Sequence, residues 1–529
     1  MRAVAPDIDI QLCSVFVNSL VPHHHIEFDK KAQMHSPSSS NNMFTGKSNV
    51  WGNSQMTRLF ILTLTIAGLQ FTWGVEMSYV NVYLLSLGMS KSTISLVWAM
   101  GPLAGLVTQP VVGLLSDSCT SRYGRRRPFM VVGSLFVSLS LVTMAWATEL
   151  SPILFFLNKS ISTRVIAVFS VFLTDFSINT VQACCRALIV DILPASLQQA
   201  GNGWAARQTA VGHLIGYFLG FLNLVHITNG WMGDTQLKCL CVISSAALLL
   251  TVGITSMLTR EQVLVKTEQH EPVTLKSVLS HTCGIFTTIF KTATTLPPRM
   301  KRIVSVQFFA WYGWFSFLYY SSTWIGEVYQ RQHGGVDEDG DKVGKVGRIG
   351  SMSLTVFSVV SLIASFVMPF LATNTVFRYK PRLTSIWTGA HIVFSLAMFS
   401  TLYVGSVGAA TAVIASCGYS WAITTWAPFA LMGEEIHRLE GTPLPISQEI
   451  NETDQLGPNS SATSDAKHTG VFLGIHNIAI SAPQFVCTFV SSFVFFLLEG
   501  EGDGGRAIAV TFQIGGVMTL IAAYISRAL

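Results

Sequence analysis

Asp175, Asn179, Gln182 and Arg186 are separated by four, three and four residues, which places all four side chains on one face of an α-helix. They belong to an otherwise apolar run, 165–190. A polar stripe is untenable against hydrocarbon, so this face must line a cavity or another helix. At 1.5 Å of rise per residue, Asp175 and Arg186 stand about 16 Å apart along the axis, too far for a salt bridge within the helix. They offer separate chemistries. A carboxyl group in such a cavity can take up and release a proton. A guanidinium keeps its charge and can donate forked hydrogen bonds to hydroxyl groups or neutralise a distant carboxylate. Glu76, in another apolar run, is a second proton-carrying candidate, with a fixed interhelical hydrogen bond as its alternative.

The elements that position these groups follow from composition. Half of the 529 residues are hydrophobic, 12% are charged and the mean hydropathy is +0.48. A soluble domain is about a quarter charged, so the bilayer is the solvent. A spanning helix needs about 20 mostly apolar residues. Twelve such stretches are predicted, near 59–87, 92–116, 128–148, 165–190, 208–227, 240–258, 303–326, 349–372, 383–403, 411–432, 469–498 and 507–526. Lipid offers backbone amides no partner, so these must be helices, and the alternating strands of a barrel are absent. The expectation is an all-α membrane protein of twelve transmembrane helices in two six-helix halves, 58–258 and 303–529. A disordered cytosolic tail at 1–57, a cytosolic linker at 259–302 and a cytosolic loop at 433–468 complete the chain.

Within the twelve stretches only Glu76, Asp175 and Arg186 are charged, all in the N-terminal half. With a cytosolic N-terminus, the inside loops hold seventeen Lys and Arg and the outside loops nine, which favours both termini inside. The net charge of +5 is accounted for by this bias, and no nucleic-acid partner is implied. The nine cysteines read as small buried hydrophobes without metal-ligand spacing. No metal, nucleotide loop or other cofactor is expected, and no nucleophile–base constellation suggests an enzyme.

After the second span comes Asp117-Ser-Cys-Thr-Ser-Arg122-Tyr-Gly124-Arg125-Arg126-Arg127-Pro128, preceded by Gly113. A degraded echo, Asn374 to Arg382, follows the eighth span, where a two-half repeat would put it. Gly113 is expected to allow close approach of a neighbouring helix. Asp117 is expected to accept hydrogen bonds at the domain interface, and Arg122, Arg125 and Arg126 to fix the loop. Together they form a gating element.

These blocks resemble the major-facilitator loop signature. With Gly101-Pro102-Leu-Ala-Gly105, Gln109-Pro110-Val-Val-Gly113, Asn179-Thr-Val-Gln182 and Cys185-Arg186-Ala187-Leu188, the chain is similar to plant sucrose–proton symporters, animal proton–sugar relatives and fungal α-glucoside permeases. The resemblance runs through all twelve spans. It implies alternating-access uptake of sucrose, maltose or a related α-glucoside with protons. It makes Asp175 the proton-binding carboxylate and Arg186 important for substrate, and marks Arg348 as an arginine that influences transport. Ser321-Ser322-Thr323 stands where plant members carry acidic residues, and Lys91 lies near the place of a plant loop histidine. Both departures favour the fungal branch.

Span 7 carries ten aromatics, and rings of this kind stack on the apolar faces of pyranoses. Gln307, Trp311 and Trp314 follow i, i+4, i+7 and are the preferred lining set, with Gln70, Trp73 and Asn477 as further substrate candidates. Gly212, Gly216 and Gly220 form a small-residue ridge for helix contact. The expected partners are a disaccharide, protons and the lipid bilayer, for a carrier that works as a monomer, in the plasma membrane or the vacuolar membrane. A passive or sodium-coupled sugar carrier and a non-transporting sugar sensor are the alternatives.

Overall fold

The computed structural model describes residues 44–154, 156–264, 284, 287, 296–333, 342–373, 382–439, 461–498 and 506–529. Its helices are α1 Gln55–Ser86, α2 Lys91–Val97, α3 Met100–Asp117, α4 Arg127–Ala145, α5 Lys159–Ile192, α6 Ala195–Phe221, α7 Gln236–Leu258, α8 Pro298–His333, α9 Lys342–Thr373, α10 Leu383–Ser400, α11 Val407–Thr424, α12 Ala427–Leu439, α13 Ser461–Leu498 and α14 Arg506–Ser526. Among the described residues, ten helical segments are long and apolar enough to cross a membrane, α2–α3 and α11–α12 each counting as one. The long helices α6 and α8, which cover the other two predicted spans, fall outside that criterion. α6 carries Gln198, Asn202, Arg207 and Gln208, and α8 is rich in Trp, Tyr and Ser, so both are less oily than a lipid-facing helix.

Burial explains the division of labour. α4 exposes Val132, Leu135 and Leu139, α7 Leu250 and Met257, α10 Leu396, and α14 Tyr524, apolar surface suited to lipid. α1 and α8 are instead buried along most of their length. The glycine ridge of α6 packs on α1: a β-carbon at Gly212 would strike the Ala67 carbonyl.

Several boundaries differ from those read in the sequence. α1 begins at Gln55, where the Ser54 hydroxyl accepts from the Thr57 amide as an N-cap. Before it, β1 Phe44–Thr45 and β2 Asn49–Val50 pair antiparallel with β4 Val263–Leu264 and β3 Thr259–Arg260, tying the segment ahead of the first crossing to the one after the sixth. α8 does not stop at Gly326 but continues to His333 and so includes Glu327. α12 extends to Leu439 and α13 starts at Ser461, so helix occupies both ends of the expected 433–468 loop. The echo at 374–381 lies outside the described residues.

Candidate functional site

Asp175 sits on α5, 3% exposed, facing α3 across Gly101. Its Oδ2 has no hydrogen-bond partner, and neither carboxyl oxygen of Glu76 on α1 has one. The two acids lie within electrostatic reach of each other. Buried polar atoms are nearly always paired, so three orphaned carboxyl oxygens in one bundle make Asp175 and Glu76 candidates for a functional role.

One turn along, Asn179 donates to the Asp175 carbonyl at 2.9 Å and accepts from Gln109 of α3 at 3.1 Å. Gln182 is half-buried and Arg186 is exposed, although Cys185 and Leu188 beside it are enclosed. Arg186 is also desolvated by surrounding protein. The stripe therefore passes from an enclosed acid to an open arginine as it nears the face that carries residues 118–126, here termed the basic face.

The two halves meet through polar side chains at the opposite face. Among the described residues, the hydrogen bonds and ion pairs between the two halves all lie there. Lys91 pairs with Glu327 at 2.6 Å, Ser95 bonds the Tyr320 hydroxyl at 2.7 Å, and Ser92 bonds Ser492 at 2.9 Å. The innermost layer is a cluster. Trp98, where α2 breaks from α3, stacks on Tyr319 of α8 with centroids 4.6 Å apart, and its indole N–H donates to Asn81 at 2.6 Å. Asn81 in turn donates to the Tyr319 carbonyl, and Gln484 of α13 donates to the Tyr319 hydroxyl. Among the described residues, the polar contacts between the halves thus shut the face opposite the basic one.

At the basic face, the Arg126 guanidinium holds Asp117, Ser116 and Asp191, the last at 3.0 Å. Arg125 also reaches Asp191, at 3.1 Å. Glu261 accepts the backbone N–H groups of Arg125, Arg126 and Arg127 at 3.0, 2.9 and 3.0 Å, an anion seated on the N-terminus of α4. Gly124 is required beneath it: its φ is +105° and a β-carbon would come within 2.8 Å of Glu261. Arg122 stands apart, exposed against Tyr123. A β-carbon at Gly113 would meet nothing within 4 Å, so the expected close helix approach is absent in this conformation.

The aromatic lining set divides. Gln307 and Trp314 are fully enclosed, Trp314 against Phe394 at 4.3 Å, so packing and not substrate accounts for them here. Trp311 is half-buried and meets Trp421 of α11, also half-buried, with centroids 5.8 Å apart. Trp73 is half-buried on α1, while Gln70 is enclosed against α6. Arg348 is half-buried on α9. The side chain of Asn477 lies outside the described residues. Sequence reasoning missed Asn81, Trp98, Gln109, Glu261, Glu327, Trp421 and Gln484. Only Gln109 carried a signal, as part of the Gln109-Pro110 block.

Long apolar helices that cross the bilayer, with buried acids among them, are the frame of a polytopic membrane carrier. The chain belongs to the Major Facilitator Superfamily, whose model matches residues 59–444. It is 33% identical to a general α-glucoside permease of Schizosaccharomyces pombe, over 89% of this chain and 92% of that one. It is 28% identical to a sucrose transport protein of Oryza sativa, over 91% and 89%. The fold also matches a solved D-xylose–proton symporter, with TM-score 0.53, 14% identity and coverage of 89% and 97%. A solved nucleoside transporter aligns with TM-score 0.55 at 13% identity, over 89% and 99%.

Proposed function

We propose that this protein imports a disaccharide, such as sucrose, maltose or a related α-glucoside, together with protons by alternating access. The observation that carries the coupling is Asp175: enclosed, with an unpartnered oxygen, at the closed end of a polar stripe that opens to Arg186. A charge there is expensive unless it is used. The permease and sucrose-transport relatives support a sugar as cargo. Asn179, Gln182 and Arg186 supply hydroxyl partners from the N-terminal half, and Trp311 supplies a ring face from the C-terminal half. In this reading both termini are cytosolic, the basic face is the inner face, the carrier works as a monomer, and it resides in the plasma membrane or the vacuolar membrane.

In the cycle, Asp175 takes a proton with the outer face open, sugar binds between the halves, and the outer contacts close. Sugar and proton then leave through the inner vestibule. The test is uptake of radiolabelled maltose and sucrose into cells lacking their own carriers. Concentrative uptake that collapses with a protonophore is expected. Uptake indifferent to the protonophore would overturn the coupling, and uptake of neither sugar would overturn the cargo.

A further inference from the structure

Gly101 of α3 presents only bare backbone where Gln484 of α13 and Asp175 of α5 approach it. A β-carbon there would lie 3.5 Å from Gln484 Nε2 and 3.8 and 3.9 Å from the two Asp175 carboxyl oxygens. The Gln484 amide donates to the Tyr319 hydroxyl, and Tyr319 is the residue on which Trp98 stacks and to which Asn81 donates. Asp175 Oδ2 is buried without a partner. Pro483 precedes Gln484 inside α13 and interrupts the backbone ladder there, so the glutamine stands at a point where the helix can flex. The other titratable groups near Asp175 are Glu76 of α1 and the Tyr319 phenol.

We propose that Gly101 is a window through which Gln484 exchanges partners between Tyr319 and Asp175, tying the state of the acid to the closure of the opposite face. This rests on the proton-coupled reading above. When Asp175 is protonated it makes no demand on the amide, and Gln484 holds Tyr319 in the closed cluster. When the proton passes to water in the vestibule, the carboxylate is left without a donor. Gln484 then breaks its N–H···O bond to Tyr319 and makes one to Oδ2. Tyr319 loses a restraint, the Trp98 stack loosens, and the empty carrier reopens outward. Gln484 and Gly101 are positioning residues of the return step.

The discriminating variant is Gly101→Ala. Its methyl meets Gln484 and Asp175 at ordinary contact distances, so the fold accommodates it, but it fills the window. In proteoliposomes, net proton-driven uptake of labelled maltose or sucrose should fall about tenfold, while exchange of labelled for unlabelled sugar stays near wild type. Exchange needs only the loaded, protonated carrier. Gln484→Leu should show the same split, and Gln484→Asn should restore part of net uptake. Equal loss of uptake and exchange, or loss of neither, would overturn the window. If wild-type uptake ignored the proton gradient, the function reading would fail first and the inference with it.

Discussion

Lys91 and Glu327 form an ion pair of 2.6 Å that crosses from α2 in the N-terminal half to α8 in the C-terminal half, each side chain 15% exposed. Partial burial makes the loss of one partner costlier than at a surface bridge, and the pair spans the seam between the halves at the face opposite the basic one. Glu327→Gln is expected to favour the state open at that face by about 1–2 kcal/mol, a five- to thirtyfold change in the population ratio. Thiol labelling, from the face opposite the basic one, of a cysteine placed at Ser92, which bonds Ser492 across the same seam, measures this. The double exchange Lys91→Glu with Glu327→Lys should restore wild-type labelling. Unchanged labelling in Glu327→Gln would show that the pair does not hold the closure.

Asp175→Asn keeps the shape of the side chain and removes its ability to ionise. Net sugar accumulation and sugar-induced proton entry should both be lost. Exchange should persist, because asparagine imitates the protonated acid and the loaded carrier needs no more. Parallel measurement of medium alkalinisation and tracer exchange separates these outcomes. Concentrative uptake at wild-type rates would remove Asp175 from the coupling. The same exchange at Glu76, whose two oxygens are also unpartnered, tests whether one acid or two carry protons.

Glu261 seats one carboxylate on three consecutive backbone amides and also meets the Arg127 side chain at 3.4 Å. Glu261→Ala strands those donors and a buried arginine network, and should cost about 2–4 kcal/mol. Glu261→Gln retains an acceptor oxygen and should cost about half as much. Gly124→Ala should resemble Glu261→Ala, through strain at a positive φ and collision with the same carboxylate. Melting of the purified carrier in detergent ranks the three, and an order with Glu261→Gln lowest would exclude the cap as the cause.

How much could be read beforehand follows from the physics of each signal. The all-helical membrane fold and the α5 stripe were legible because hydropathy and helical periodicity are local properties. Asp175, Asn179, Gln182 and Arg186 needed only their own helix to be placed together. Lys91 and Glu327, or Asn81, Trp98, Tyr319 and Gln484, come from four different helices, and no spacing along the chain announces them. Glu327 lay one residue beyond the predicted span 303–326, whereas α8 runs on to His333. Glu261 looks like an ordinary linker acid until the strand pairing of 44–50 with 259–264 holds it under α4.

The aromatic wall offers a sharp contrast between two tryptophans three residues apart. Trp314 is fully enclosed, packed on Phe394 and Phe317, and donates its indole N–H to Thr424 at 3.3 Å. Trp314→Ala should therefore destabilise the fold by about 3–5 kcal/mol and lower the amount of carrier, with little change in KM for what remains. Trp311 and Trp421 are half-buried, and no hydrogen-bond partner satisfies the Trp311 indole N–H. If a sugar ring stacks there, Trp311→Ala and Trp421→Ala should each raise KM about tenfold while leaving carrier abundance near wild type. Trp311→Phe should recover the stacking share of that loss but not the share due to the N–H. Uptake kinetics normalised to carrier abundance separate the two classes. A raised KM for Trp314→Ala, or an unchanged one for Trp311→Ala, would move the sugar site away from this wall.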